Sequence, residues 1–303
     1  MTVSTGSPSS TTTPPTAATT ATTASTTTGA TTATSVTSVT GVSSPAGPSA
    51  SHGPVSRPAS WLVPLHRPAR PRARLVCVPN AGGGATTFRG WADLLPGDVE
   101  LWAMRSPGRE TRIAEKPPNR LSMIIDPVID GLSRLEPLPF ALFGHSMGAL
   151  VSFTVARRLR SRGLPGPGRL FVSGWNAPQC RDGMPRLGRL DDEELMRVLH
   201  RLDGIPPEVI GNPELMSLIM PVLRADLNAA ESYVHEDEPP LACPISVFGG
   251  NGDPTTTAGG LGAWSAQTGS AFRLRLLPGG HFFIHTQRRT LLRAIRADLG
   301  TCR

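Results

Sequence analysis

Five consecutive residues, Gly144-His145-Ser146-Met147-Gly148, have the types and spacing to carry a reaction. A serine with glycines two residues to either side fits a strained turn that presents its hydroxyl, because glycine leaves room for close approach of neighbouring backbone. The pentapeptide alone is a weak signal, so its surroundings decide. Phe140-Ala141-Leu142-Phe143 before it reads as a buried strand, and residues 149–162 after it read as a helix. The motif therefore falls where strand becomes helix, the setting of a nucleophile elbow.

A lone serine is a poor nucleophile at neutral pH and needs a base, which in turn needs an orienting carboxylate. On a fold built around such an elbow the chain order is serine, acid, histidine. His281, in Pro278-Gly279-Gly280-His281-Phe282-Phe283, follows the last candidate strand on a loop able to reach over the serine. His285 is the rival; one turn further on, it reads better as a packed or surface residue of the closing helix. For the acid, Asp253 in Gly249-Gly250-Asn251-Gly252-Asp253-Pro254 directly follows a strand. The end of the preceding strand, Val172-Ser173-Gly174-Trp175-Asn176, offers no carboxylate, so Asp253 is favoured by position and by elimination. A tetrahedral intermediate also requires donors aimed at its oxygen. The backbone N–H of Met147 is one candidate and that of Ala81, in Asn80-Ala81-Gly82-Gly83-Gly84, is the other.

The elements that must position these residues alternate. Leu75-Val76-Cys77-Val78, Leu101-Trp102-Ala103-Met104, the Phe140 run, Leu170-Phe171-Val172-Ser173, Ile245-Ser246-Val247-Phe248 and residues 272–277 read as strands. Leu121, Ile124, Ile125, Val128, Ile129 and Leu132 recur at the spacing of one buried helix face, although Pro127 predicts a bend or a later start. Strands alternating with helices predict an α/β fold with a mostly parallel, doubly wound sheet. The alternation stops between about residues 182 and 238. Asp191-Asp192-Glu193-Glu194 opens one helix there and a second spans about residues 214–233, so the segment reads as a helical lid insertion. The glycine loop after Val78 is not followed by Gly-Lys-Ser/Thr and contains no GxGxxG, which argues against a phosphate cradle.

The 303 residues carry a formal charge of +7, almost all of it arginine, since Lys116 is the only lysine. No helix-turn-helix, zinc-finger or RNP pattern accompanies the charge, so nucleic-acid binding is not expected. No run approaches the roughly 20 apolar residues of a membrane-spanning helix, and no basic start or apolar h-region marks a secretory signal. Cys77, Cys180, Cys243 and Cys302 lack metal-ligand or CxxC spacing and suit a reducing cytoplasm. Before Arg57 no charged residue occurs and the text is nearly all Thr, Ser, Ala, Pro and Gly. Such a segment cannot bury enough apolar surface to order itself, so residues 1–60 are expected to form a disordered tail and residues 61–303 one domain.

With the motifs placed, the chain resembles the type II thioesterases, discrete α/β hydrolases associated with polyketide synthases and nonribosomal peptide synthetases. The resemblance runs from about Trp61 to Leu299. It rests on Pro79-Asn80-Ala81-Gly82-Gly83, Pro107-Gly108-Arg109, Gly144-His145-Ser146-Met147-Gly148-Ala149, Pro221-Val222-Leu223-Arg224-Ala225-Asp226, Gly252-Asp253-Pro254 and Gly279-Gly280-His281-Phe282-Phe283. It implies an α/β-hydrolase fold, hydrolysis of acyl groups from the phosphopantetheine arm of acyl or peptidyl carrier proteins, and no metal or redox cofactor. It also implies Ser146 as nucleophile, His281 as base and Asp253 as its orienter, in a cytoplasmic enzyme expected to be a monomer. Arg109, Arg112, Arg157 and Arg158 are candidates to meet an acidic carrier protein or its phosphate. For the arginines at the end of the nucleophile helix, complementing the helix dipole is the competing reading. Two departures stand out: the family usually carries His where Asn80 stands, and it usually lacks such a tail. The alternatives are a lipase-like carboxylesterase and a non-catalytic carrier-protein partner.

Overall fold

A computed structural model of the chain describes residues 60–180, 186–202, 204 and 212–300. All of them fall in one compact unit, Ser56–Arg303. The expected tail, Cys302 and parts of the insertion lie outside the described residues. Seven strands form one sheet in the order β1-β3-β2-β4-β5-β6-β7. They are β1 (Leu62–His66), β2 (Ala73–Val78), β3 (Val99–Met104), β4 (Phe140–His145), β5 (Arg169–Ser173), β6 (Ile245–Gly250) and β7 (Phe272–Leu277). Every pairing is parallel except that of β1 with β3. The predicted α/β class with a mostly parallel, doubly wound sheet is the architecture observed. β1 was not legible because Pro64 interrupts its run; at a sheet edge a proline is tolerated, since no inner neighbour requires its missing N–H.

Alternation along the inner strands feeds two cores. Val76 and Val78 of β2 and Leu142 of β4 join one cluster with Ile124, Leu150, Phe153 and Trp264. Leu75 and Cys77 of β2 and Ala141 and Phe143 of β4 join the other, with Phe88, Trp91, Leu291 and Ile295. Burial on both faces explains why these strands read as unbroken apolar runs. Helix α1 (Ser122–Ser133) continues through Pro127. The expected later start is not what forms, because Ile124, Ile125, Val128 and Ile129 bury on either side of the proline and hold the first turn in place. The carbonyl that loses its partner belongs to Met123, which is exposed to water.

In the insertion, α3 (Asp192–Arg201) is capped by Asp191, whose side chain accepts from the Glu194 amide at 2.8 Å. Helix α4 (Pro213–Glu231) is capped by Asn212, which accepts from the amides of Glu214 and Leu215, with Pro213 in the first turn where its missing N–H costs nothing. Leu195 and Leu199 of α3 pack with Leu223 of α4, and Ala81 of the glycine loop packs against this third cluster. No helix among the described residues is long and apolar enough to cross a membrane.

The chain leaves β2 towards β3 on one side and returns in β4 on the other. The crevice beyond the carboxyl ends of β2 and β4 is therefore a topological switch point, where open α/β sheets bind ligands. Val78 pairs with Gly144 there, which sets the glycine loop beside the serine turn.

Candidate active site

β4 ends at His145 and helix α2 (Met147–Ser161) begins at Met147, leaving Ser146 alone on the turn at φ 55° and ψ −125°. A non-glycine residue held there carries about 1–3 kcal/mol of strain and persists only where its surroundings over-determine it. They do so here: the Ser146 amide donates to the Ser173 carbonyl at 2.7 Å, and the Ser146 carbonyl accepts from the Ala149 amide at 2.9 Å. The flanking glycines are required by contact. A Cβ on Gly144 would stand 1.9 Å from the Gly148 oxygen, and one on Gly148 would stand 2.1 Å from the Val78 oxygen.

His281 Nε2 lies 3.0 Å from Ser146 Oγ, and His281 Nδ1 lies 2.9 Å from Asp253 Oδ2. The structure thus brings together three residues that the sequence places up to 135 positions apart. Asp253 follows β6 and His281 follows β7, each on a loop at the same rim. Because a carboxylate can only accept, the ring proton sits on Nδ1, which leaves Nε2 free to take a proton from the serine hydroxyl. Burial pushes the Asp253 carboxyl up, but hydrogen bonds from His281 and Thr255 outweigh it and hold the group below its ordinary value. His285, the rival base, is exposed and stacks on Phe282 with ring centroids 6.1 Å apart.

Several polar groups of the site were given no role from sequence. Thr255 donates its hydroxyl to Asp253 Oδ1 at 2.7 Å and its amide to the same oxygen at 2.9 Å. A threonine two residues beyond an aspartate is the local signal for such a turn. His145 is fully buried, with its ring centroid 5.1 Å from that of His281 and Nδ1 3.0 Å from Ser173 Oγ. Asp226 is also fully buried, and its signal was a carboxylate on the apolar face that Val222, Leu223, Ala229 and Ala230 define on α4.

Both expected oxyanion donors sit at the rim. The Met147 amide opens α2, where no intrahelical partner exists for it. In the glycine loop the Gly83 amide donates to the Asn80 carbonyl at 3.0 Å, and Asn80 Nδ2 donates to the Ala81 carbonyl at 2.8 Å. Among the described residues no acceptor takes the Ala81 amide.

The arginine expectations require correction. Arg109 is buried and bidentate on Asp226, and Arg112 is buried, bidentate on Glu115 and stacked over Trp61. Arg157 is buried too, donating to the Glu236 carbonyl and paired with Glu238. Each of these three guanidinium groups is committed to partners within the fold, although Arg157 also lines the cleft beside Arg158. Arg158 alone of the four is exposed, 3.6 Å from Asp126. It lines a cleft of about 760 Å³ between α1, α2 and the segment after α4, away from Ser146.

A nucleophile on a strand-to-helix turn at the switch point of a parallel sheet, with acid and base arriving on later loops, defines the serine hydrolases of the α/β-hydrolase fold. Within that class the chain belongs to the thioesterase family: the Thioesterase domain model matches residues 73–299. It is 39% identical over 231 residues to the gramicidin S biosynthesis protein GrsT of Aneurinibacillus migulanus, covering 76% of this chain and 90% of that protein. Among solved structures it is similar to the type II thioesterase BorB from the borrelidin biosynthetic cluster, with a TM-score of 0.71 and 36% identity over 79% of this chain and 98% of that one. The RedJ thioesterase from the prodiginine pathway of Streptomyces coelicolor gives a TM-score of 0.70 and 39% identity over 80% of this chain and 91% of that one.

Proposed function

We propose that this thioesterase hydrolyses acyl groups from the phosphopantetheine arm of carrier proteins through an acyl-serine intermediate, clearing stalled or misprimed polyketide or nonribosomal peptide assembly lines. The observation that carries the reading is the unbroken relay from Ser146 Oγ through His281 to Asp253, at 3.0 and 2.9 Å. The similarity to BorB and RedJ supports the choice of substrate class.

His281 Nε2 takes the hydroxyl proton as Ser146 Oγ attacks the thioester carbonyl, and Asp253 steadies the imidazolium. The oxyanion is held by the amides of Met147 and Ala81. As the carbonyl re-forms, the C–S bond breaks and His281 returns the proton to the leaving thiol, giving an acyl-serine ester. Water then gives a proton to His281 and attacks the ester. Collapse returns the proton to Ser146 and releases a free acid.

The insertion, about residues 182–238, acts as a lid over the pantetheine channel in this reading. The free thiols of Cys77, Cys180 and Cys243 fit a reducing cytoplasm. Exposed Arg158 is the remaining candidate for an acidic carrier: charge reversal there raises KM for acyl-carrier substrates and leaves small thioesters unaffected. The decisive experiment is a panel of acyl-loaded carrier proteins followed by intact mass, alongside matched thioesters and oxygen esters. Loss of the acyl mass with wild type but not with Ser146→Ala supports the proposal. Faster turnover of the oxygen esters makes the chain a carboxylesterase. Failure of fluorophosphonate to label Ser146 in folded protein makes it a non-catalytic partner.

A further inference from the structure

Asp226 has every close contact of an anchor and none of a surface residue. Its Oδ1 accepts from Arg109 Nη2 at 2.9 Å, and its Oδ2 accepts from Arg109 Nη1 at 2.9 Å and from the Gly82 amide at 2.8 Å. Arg109 Nη1 also donates to the Gly83 carbonyl at 2.7 Å. The pair therefore grips one backbone donor and one backbone acceptor on adjacent glycines, and it does so from outside the loop. Arg109 comes from the segment after β3, and Asp226 from α4 in the insertion. Leu223, one turn earlier on α4, lies 3.5 Å from where a Gly82 Cβ would be, so apolar contact backs the polar grip. Gly82 itself sits at φ +74°, a conformation that leaves the loop free to choose other paths unless it is held.

We propose that Asp226 and Arg109 are positioning residues for the oxyanion hole: they fix the Gly82–Gly83 backbone so that the neighbouring Ala81 amide points at the developing oxyanion. The inference rests on the assignment of Ala81 as a donor. The amides of Gly82 and Gly83 are committed to Asp226 and to the Asn80 carbonyl, whereas no acceptor among the described residues takes the Ala81 amide, which stays available to a ligand. An oxyanion hole works by being aimed before the reaction begins, and displacement by about 1 Å can cost about 100-fold. A residue that only aims the hole changes the rate of the chemical step and not the affinity for ground-state substrate.

The test uses the full chain and a small acyl thioester. Asp226→Asn and Arg109→Lys are expected to lower kcat about 10- to 100-fold, with KM within about threefold, in proteins whose circular dichroism and melting show a folded state. If Asp226→Asn does not fold, Arg109→Lys carries the measurement. The Ala81 amide is removed separately by placing lactic acid at position 81 through nonsense suppression, which turns that peptide bond into an ester. This change is expected to lower kcat about 100-fold or more, and adding Asp226→Asn or Arg109→Lys to it should then cost less than about threefold. Wild-type kcat in both clamp variants, with a slow ester variant, overturns the clamp and leaves the donor assignment standing. Full multiplication of the two effects overturns the route through Ala81. A silent ester variant overturns the donor assignment and the clamp's purpose together.

Discussion

Thr255 completes the hydrogen bonding of Asp253, donating its hydroxyl to Oδ1 at 2.7 Å while His281 occupies Oδ2. The same hydroxyl oxygen lies 3.0 Å from His281 Nδ1, so it touches acid and base at once. Removing it takes away one of the contacts that hold the Asp253 carboxyl below its ordinary value. Thr255→Val should therefore lower kcat about 3- to 10-fold, with Thr255→Ser restoring most of it, as expected for a side chain that acts only through its neighbours. Steady-state kinetics on one thioester checks this; unchanged kcat in the valine variant would remove Thr255 from the site.

The strain at Ser146 separates stability from activity. Ser146→Ala and Ser146→Gly both remove the hydroxyl and should both reduce turnover by about 1,000-fold or more. Only glycine relieves φ 55°, so the glycine variant should be more stable than the alanine variant by about 1 kcal/mol. Urea denaturation of the pair measures it, and equal midpoints would mean that the turn carries no cost.

The glycines of the elbow make the opposite prediction. At Gly148 a new Cβ meets two backbone oxygens, Val78 at 2.1 Å and Pro79 at 2.6 Å, and neither strand end can retreat without breaking the sheet. Gly148→Ala should cost at least about 3 kcal/mol and reduce soluble yield. Gly259, exposed in a short helix with nothing within 4 Å, is the control: Gly259→Ala should be neutral or stabilising by about 0.5–1 kcal/mol. Similar melting temperatures for the two variants would contradict the packing argument.

These contrasts mark what a linear reading can reach. The elbow, His281 and Asp253 were legible because each sits directly after an apolar run that becomes a strand, and because chain order constrains their roles. The clamp was not, since Arg109 and Asp226 lie 117 positions apart and a buried arginine looks like any other in text. The same ambiguity misdirected the surface reading of Arg157, whose partner Glu238 only the fold brings to it, whereas the partner of Arg112, Glu115, stands three residues on and was within reach of a local reading. β1 escaped because an edge strand can hold Pro64 and expose half its residues, losing the pattern that identified the inner strands.

His145 supplies the last prediction, in the pH dependence of stability. Burial, with a further contribution from the nearby His281 and His285, holds its imidazole well below 6.5. It is neutral in the fold, whereas in the unfolded chain it binds a proton as pH drops through 6.5. In that window the unfolded state carries more protons than the native one, so stability rises with pH and falls on acidification. One such group gives a slope of about 1.4 kcal/mol per pH unit. Asp253 acts in the same direction but in a lower window. Its contribution is present above its ordinary value near 3.8 and is lost as pH falls through its depressed value in the fold. Urea unfolding between pH 7.5 and 4.5 therefore reads His145 before Asp253 begins to protonate. His145→Gln should flatten the slope by about 1.4 kcal/mol per unit, leaving whatever His285, held low by partial desolvation and the nearby Arg288, contributes. An unchanged slope in that variant would show that His145 takes up its proton without opening the fold.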